Sequence, residues 1–304
     1  MSSKIRNYLE HKEVPAVDFV GKRKICYIIS SVIIIAGILS MFIQGLNLGI
    51  DFAGGNLFQI SFTEQTDISE VRSAINDLDI GTNRIQELDD GSYQIKTLYM
   101  DQSAQEQFVA DLGDKLGGCT LLRSEAVGAS VGSELLKNGL IALFVAILLM
   151  IAYITWRYEW RFAVTAIAAL FHDVLVTLAV FSICQFEVES YFIAAVLTIF
   201  GYSVNNTIVI FDRIRENTVR VKKDQLAEIV NLSDKQSLTR TLNTSISTLI
   251  LLVALFLFGG QTTRMFVLAM IIGIVAGTYS SLFVAPSLWY DLRMKSKGKI
   301  VEIR

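Results

Sequence analysis

The residues with chemistry to offer lie inside apolar stretches. Asp173 stands in Ala169-Leu-Phe-His-Asp-Val174, about halfway along an apolar run from Phe162 to Ile183. Asn205 and Asn206 interrupt a run from Tyr191 to Phe211, within Gly201-Tyr-Ser-Val-Asn-Asn-Thr207, which continues through Asp212 and Arg213 to Asn217. Arg240 and Thr244 open a polar stripe, Arg240-Thr-Leu-Asn-Thr-Ser-Ile-Ser-Thr248, at the head of another run. A carboxyl in hydrocarbon can exchange a proton, pair with a cation or hydrogen-bond a neighbouring helix; an amide can coordinate a cation or bridge helices. Arg240 can reach such an acid or extend to lipid headgroups. His172, next to Asp173, is set about 100° around the helix from it, so the two need not interact. In the fourth run Thr198, Tyr202, Asn205, Val209 and Asp212 share roughly one face, and Asn206 and Arg213 a neighbouring one.

The elements that must hold these groups are membrane helices. The 304-residue chain is 52% hydrophobic with two prolines, and six windows reach the length of about 19 apolar residues that a span needs. They are Ile25–Ile43, Gly139–Thr155, Phe162–Ile183, Tyr191–Phe211, Leu242–Phe258 and Met265–Tyr290. Segments 1–24, 156–161, 212–240 and 291–304 carry 20 of the 27 Lys and Arg. The positive-inside rule therefore puts both termini in the cytoplasm. Segment 46–136 then lies outside, with 5 basic and 15 acidic residues, a balance of −10 that argues against nucleic acid. The basic run Lys22-Arg-Lys24 before the first span reads as a retained signal-anchor. The chain is thus read as an α-helical membrane protein: a cytoplasmic segment 1–24, a first helix 25–45, an extracytoplasmic domain 46–136, helices two to six over 137–290 with a cytoplasmic loop 212–240, and a basic tail 291–304.

Within the outer segment, Leu57–Phe62 alternates as a strand and Asp67–Leu78 has helical spacing, with Asp67 or Thr66 as cap. Asn83–Leu88 and Tyr93–Leu98 flank Asp89-Asp-Gly91, a hairpin signal; Gln105–Leu116 is helical and Cys119–Arg123 a strand. The order βαββαβ is that of a ferredoxin-like α+β domain. Before it, Gly49-Ile-Asp-Phe-Ala-Gly-Gly55 reads as a hinge-like linker, with Gly49, Gly54 and Gly55 free to turn tightly around Asp51. No Gly-Lys-Ser/Thr follows, so the chain lacks a visible phosphate loop for nucleotide hydrolysis. The three cysteines form no disulfide framework. No catalytic constellation, cofactor motif or metal cluster stands out, and the chain is not read as an enzyme. In the last span Ala269, Gly273, Gly277, Ser281 and Ala285 recur every four residues, a row of small side chains for close helix packing.

Gly49-Ile-Asp-Phe-x-Gly-Gly55, His172-Asp-Val174, the Gly201–Asn217 segment, Thr239-Arg-Thr-Leu-Asn-Thr-Ser245 and Gly277-Thr-Tyr-Ser-Ser281 occur together and in order. The chain thereby resembles the SecF family, the smaller half of the bacterial SecDF protein-export pair. The resemblance implies a six-span RND-superfamily bundle in the bacterial cytoplasmic (inner) membrane. It implies SecD, the SecYEG channel, membrane lipid and an emerging preprotein as partners, and an ion gradient such as the proton motive force as energy source. Asp173, Asn205, Asn206, Arg240 and Thr244 become ion-pathway candidates, and the glycine-rich junction a lever to the outer domain. The family pattern reads Gly-Tyr-Ser-x-Asn-Asp-Thr; here Asn206 stands at the Asp position and cannot exchange a proton. Asp173 or an acid from SecD is then expected to carry the ion, proton or sodium. The rival reading is half of an RND exporter of small molecules or lipids.

Overall fold

Apolar runs bounded by basic residues become six helices long and apolar enough to cross a membrane. The computed structural model describes residues 18–64, 66–78, 80, 82–88, 90–218, 221–296 and 300–301; residues 1–17 of the expected N-terminal segment and Asp89 of the hairpin lie outside these. Two compact units result, Leu48–Ile141 and a second made of 1–47 with Ala142–Arg304.

The first unit opens with a one-turn helix, α2 (Ile50–Ala53), and continues β1 (Gly55–Phe62), α3 (Ile68–Asn76), β2 (Thr82–Glu87), β3 (Tyr93–Thr97), α4 (Gln102–Lys115) and β4 (Cys119–Val127). The sheet order β2-β3-β1-β4 is antiparallel throughout, so the ferredoxin-like topology expected from the element order is present. Alternation puts Phe58 and Ile60 of β1 and Ile95 of β3 under the helices, where they meet Val71, Ile75, Phe108 and Leu112. Each such side chain contributes roughly 1.5–3 kcal/mol of transfer free energy. Asp67 caps α3 in a reciprocal capping box with Glu70, and the exposed Asp101 accepts from Ala104 N to cap α4. These bonds hold both carboxyls below the usual carboxylate range, led by the Ser69 hydroxyl for Asp67 and the Ala104 amide for Asp101.

The glycine-rich segment is not the open linker its composition suggests. Ile50 and Phe52 are buried, and Gly54 and Gly55 take φ of 74° and 131°. A Cβ on Gly55 would lie 2.5 Å from the carbonyl oxygen of Thr97. The glycines here permit a close approach of backbone to the end of β3, which fixes the segment rather than loosening it.

The second unit holds α1 (Arg23–Gln44), the later part of α5 (Ala129–Arg157), α6 (Trp160–Cys184), α7 (Ser190–Asn217), α8 (Leu226–Phe258), α9 (Gln261–Tyr279) and α10 (Ala285–Met294). Helices α9 and α10 form one span through a π-helical turn, Ser280–Val284. Pro286 lies four residues after Leu282, has no N–H to donate and crowds that carbonyl, so the ladder widens there. Burial divides the spans: α6, α7 and α9–α10 bury 44%, 50% and 56% of their apolar windows, whereas α1, α5 and α8 bury 17%, 11% and 17%.

The expected loop 212–240 is mostly helix. No glycine or proline stops α7 before Asn217, and α8 begins at Leu226, its first turns anchored by the buried Leu226, Ile229 and Val230. Between them Val221–Lys222 pairs antiparallel with Ile300–Val301. Asn217 Nδ2 donates to Ser233 Oγ at 2.9 Å and to Gln236 Oε1 at 3.1 Å, tying the end of α7 to the start of α8.

Candidate functional site

Asp173 is wholly buried in the middle of α6. An isolated carboxylate there would be prohibitive, so its partners decide what it is. Ser203 of α7 donates to Oδ2 at 2.5 Å, and His172 Nδ1 lies 2.9 Å from Oδ1. His172 and Asp173, whose contact helical phase had left open, do meet. Their Cβ atoms diverge around the helix, but both side chains are long enough to turn toward each other. His172 Nε2 is 2.9 Å from Ser30 Oγ of α1; Ser30 donates to Tyr279 Oη at 3.3 Å, and Tyr279 donates to the Cys26 carbonyl at 2.9 Å. The imidazole also lies against the Tyr279 ring, centroids 5.8 Å apart.

The direction of this chain follows from valence. A carbonyl only accepts, so Tyr279 spends its one O–H on Cys26. Ser30 must then give its O–H to Tyr279 and accept from His172 Nε2–H. That leaves one proton to be held between His172 Nδ1 and Asp173 Oδ1. The pair is either carboxylic acid with neutral imidazole or carboxylate with imidazolium, and in both forms its net charge is zero. A group that stores one proton at the centre of a bundle, wired by hydroxyls to a helix carbonyl, is what the arrangement can supply chemically.

Close packing makes the pair possible. A Cβ on Gly277 would lie 3.1 Å from Ser203 Cβ and 3.4 Å from Asp173 Oδ2; one on Gly273 would lie 2.1 Å from Ile199 Cδ1. Gly273, Gly277 and Ser281 are all buried along the face of α9 and the π turn. They let the last span press against α7 and α6.

The other candidates scatter. Asn206 is buried with its Nδ2 unpartnered among the described residues, whereas Asn205 is exposed on the opposite side of α7. Of the face expected through Thr198, Tyr202, Asn205, Val209 and Asp212, Thr198 and Asn205 are exposed while Tyr202 packs against α8 and α9; Ser203, Asn206, Thr207 and Ile210 are buried. Arg240 and Thr244 are exposed on α8, and the Thr244 hydroxyl donates back to the carbonyls of Arg240 at 3.1 Å and Thr241 at 3.0 Å. Gly201 is exposed with open space about it. Asp212 faces Tyr158, whose phenol is pushed up to about 12 by burial and by the Asp212 hydrogen bond. Arg213 pairs with Glu216 at 2.9 Å, and Arg215 covers the Tyr158 ring at 5.5 Å. Gly49, Asp51, Gly54 and Gly55 belong to the α+β unit. Sequence reasoning missed Ser30; its signal was a hydroxyl inside the first span, which it shares with Ser31 and Ser40. Among the described residues no three His, Cys, Asp or Glu are grouped to hold a metal.

Six spans, a ferredoxin-like insert after the first and a buried carboxyl–imidazole pair define a multi-pass membrane protein with a polar centre rather than an inert anchor. Residues 109–295 match the family model "Protein export membrane protein SecD/SecF, C-terminal", and residues 39–66 match the "SecD/SecF GG Motif". The chain belongs to the SecF family of protein translocase subunits. It is 40% identical over 281 residues to the protein translocase subunit SecF of Sebaldella termitidis, covering 90% of this chain and 91% of that one. To SecF of Acidaminococcus fermentans it is 42% identical over 289 residues, covering 92% and 98%. The crystal structure of SecDF, a translocon-associated membrane protein, from Thermus thermophilus matches with a TM-score of 0.82 at 29% identity, over 96% of this chain and 42% of that longer chain.

Proposed function

We propose that the chain is an accessory subunit of bacterial Sec protein export. With SecD it uses an ion gradient to promote translocation and release of preproteins across the cytoplasmic membrane, both its termini lying in the cytoplasm and the α+β domain outside. The Asp173–His172–Ser203 cluster is the single observation that carries the ion-coupled part of this reading, because it buries a carboxyl against an imidazole at mid-bundle. SecD and the SecYEG channel are its proposed partners, and the chain itself does no covalent catalysis. The exporter alternative is not favoured, since the SecF relatives match along nearly their whole length. Asn206 leaves an inward amide N–H that can orient water but cannot carry a proton.

The test is gradient-dependent release of a preprotein from membrane vesicles carrying wild type or Asp173→Asn, with copurification of SecD as the check on assembly. The variant should assemble and lose the gradient-dependent part of release. Full retention would leave the bundle as a scaffold and sink the ion-coupled reading.

A further inference from the structure

The second buried acid is unlike the first. Asp234, in the third turn of α8, is wholly buried, and neither carboxyl oxygen has a hydrogen-bond partner among the described residues. Ser237, three residues on and on the same side of the helix, is also buried with its Oγ unpartnered. The mechanism proposed above uses neither.

The described residues around this end of α8 supply no compensating charge. From the segment before α1, Asp18 and Val20 are taken by Asn231: its Nδ2 donates to Asp18 Oδ1 at 2.7 Å and its Oδ1 accepts from Val20 N at 2.9 Å. Arg23 is paired with Asp291 at 3.0 Å. At the end of α7, Arg213 is paired with Glu216 and Arg215 lies over Tyr158. On α10, which packs against α8, Arg293 reaches Glu159 at 2.8 Å, a residue it shares with Arg161. Lys223 donates to the carbonyls of Met294 and Ser296. Lys222, Lys235 and Arg240 are exposed. Among the described residues, then, no cation is paired with Asp234.

A proton would neutralise the carboxyl and give it an O–H that Ser237 Oγ could accept, leaving the second carboxyl oxygen unpartnered. A metal cation is shared by both oxygens at once and accepts the Ser237 hydroxyl oxygen as a further ligand, with water completing the shell. One carboxylate balances one positive charge, which selects a monovalent ion. We propose that Asp234 and Ser237 form an internal site for a small monovalent cation of sodium type in the head of α8. The site is separate from the Asp173–His172 pair and stands whether or not the export reading does.

Thermal unfolding of the full purified chain in lipid nanodiscs, with sodium chloride titrated against choline chloride at constant ionic strength, reads the site directly. In wild type and in the exposed-carboxyl control Asp224→Asn the midpoint should rise with sodium and saturate; in Asp234→Asn, which keeps the shape and removes the charge, that rise should vanish. A rise that persists in Asp234→Asn overturns the proposal. So does a wild type that ignores sodium but whose midpoint depends on pH only while Asp234 is present, because the occupant is then a proton. Should Asp234→Asn fail to fold, Ser237→Ala decides: a weaker apparent sodium affinity supports the site, and an unchanged one refutes it.

Discussion

The bond from Ser203 to Asp173 joins α7 to α6 at the point where a polar pair is most costly, and its worth can be measured. Hydrogen bonds between membrane helices average about 0.6 kcal/mol and reach about 1.7 kcal/mol, because the separated helices also find partners. Bonds to charged groups in proteins run about 1.5–3 kcal/mol. Here the separation is 2.5 Å, Asp173 is 0% exposed and Ser203 1%. No water can replace the serine without moving Gly277, so the value should fall at the top of the membrane range, about 1.5 kcal/mol. A double-mutant cycle of Ser203→Ala with Asp173→Leu isolates it, since leucine removes the acceptor while filling much of its space. Unfolding in mixed micelles should give Ser203→Ala a loss of about tenfold in the folding equilibrium, or about 1.4 kcal/mol, in the parent. In the Asp173→Leu background the same change should be nearly neutral. A coupling below about 0.5 kcal/mol would fall within the additivity expected of independent sites, and the serine would then be a bystander rather than the group that fixes the carboxyl.

Two further outcomes follow from the geometry. Gly55→Ala must place a Cβ 2.5 Å from a backbone oxygen, whereas Gly91→Ala meets nothing within 4 Å; both carry a positive-φ penalty of roughly 1–2 kcal/mol. Denaturant unfolding of the α+β unit should therefore show Gly55→Ala losing clearly more than Gly91→Ala, and equal losses would mean β3 gives way easily. Tyr158 has a folded pKa raised to about 12 from an unfolded value of about 10. Its contribution to stability is thus fully present below the unfolded pKa and is lost as pH rises through the folded one. The alkaline loss of thermal midpoint across that window should shrink in Tyr158→Phe; an unchanged profile would place the responsible group elsewhere.

The helices and the insert were legible because each obeys a local rule. Apolar length marked the spans, and the alternation of Leu57–Phe62 with the spacing of Asp67–Leu78 was enough to order βαββαβ. Where the chain is polar yet helical the rule failed: Leu226–Arg240 carries charge on its outer side and buries Ile229, Val230 and Asp234, a pattern that reads as loop when only hydropathy is weighed. The site was half legible. Asp173 drew notice as a carboxyl in an apolar run, but its partner Ser203 comes from α7 and the groups that meet His172 from α1 and α9, and no spacing in one helix encodes which hydroxyl of another will arrive. The contact of His172 with Asp173 was left open on helical phase, which describes Cβ directions and not the reach of an imidazole. Asn205 and Asn206 were placed on neighbouring faces of one helix; only packing shows that Asn206 is buried and Asn205 exposed.

The uneven burial of the spans has a consequence for how this sequence can change. Lipid asks of α1, α5 and α8 mainly an average, and leucine, isoleucine, valine and phenylalanine satisfy that average almost interchangeably over most of their surfaces. Helices α6, α7 and α9 ask for particular shapes, down to the absence of a single methyl group at Gly277. Drift should therefore accumulate in the outer three spans while the inner three stay nearly still, apart from spots such as Gly37 on α1, where an added Cβ would come within 2.1 Å of Ala179. Within this chain, half of the membrane domain has little packing to preserve, and the other half is a lock whose parts can only change together.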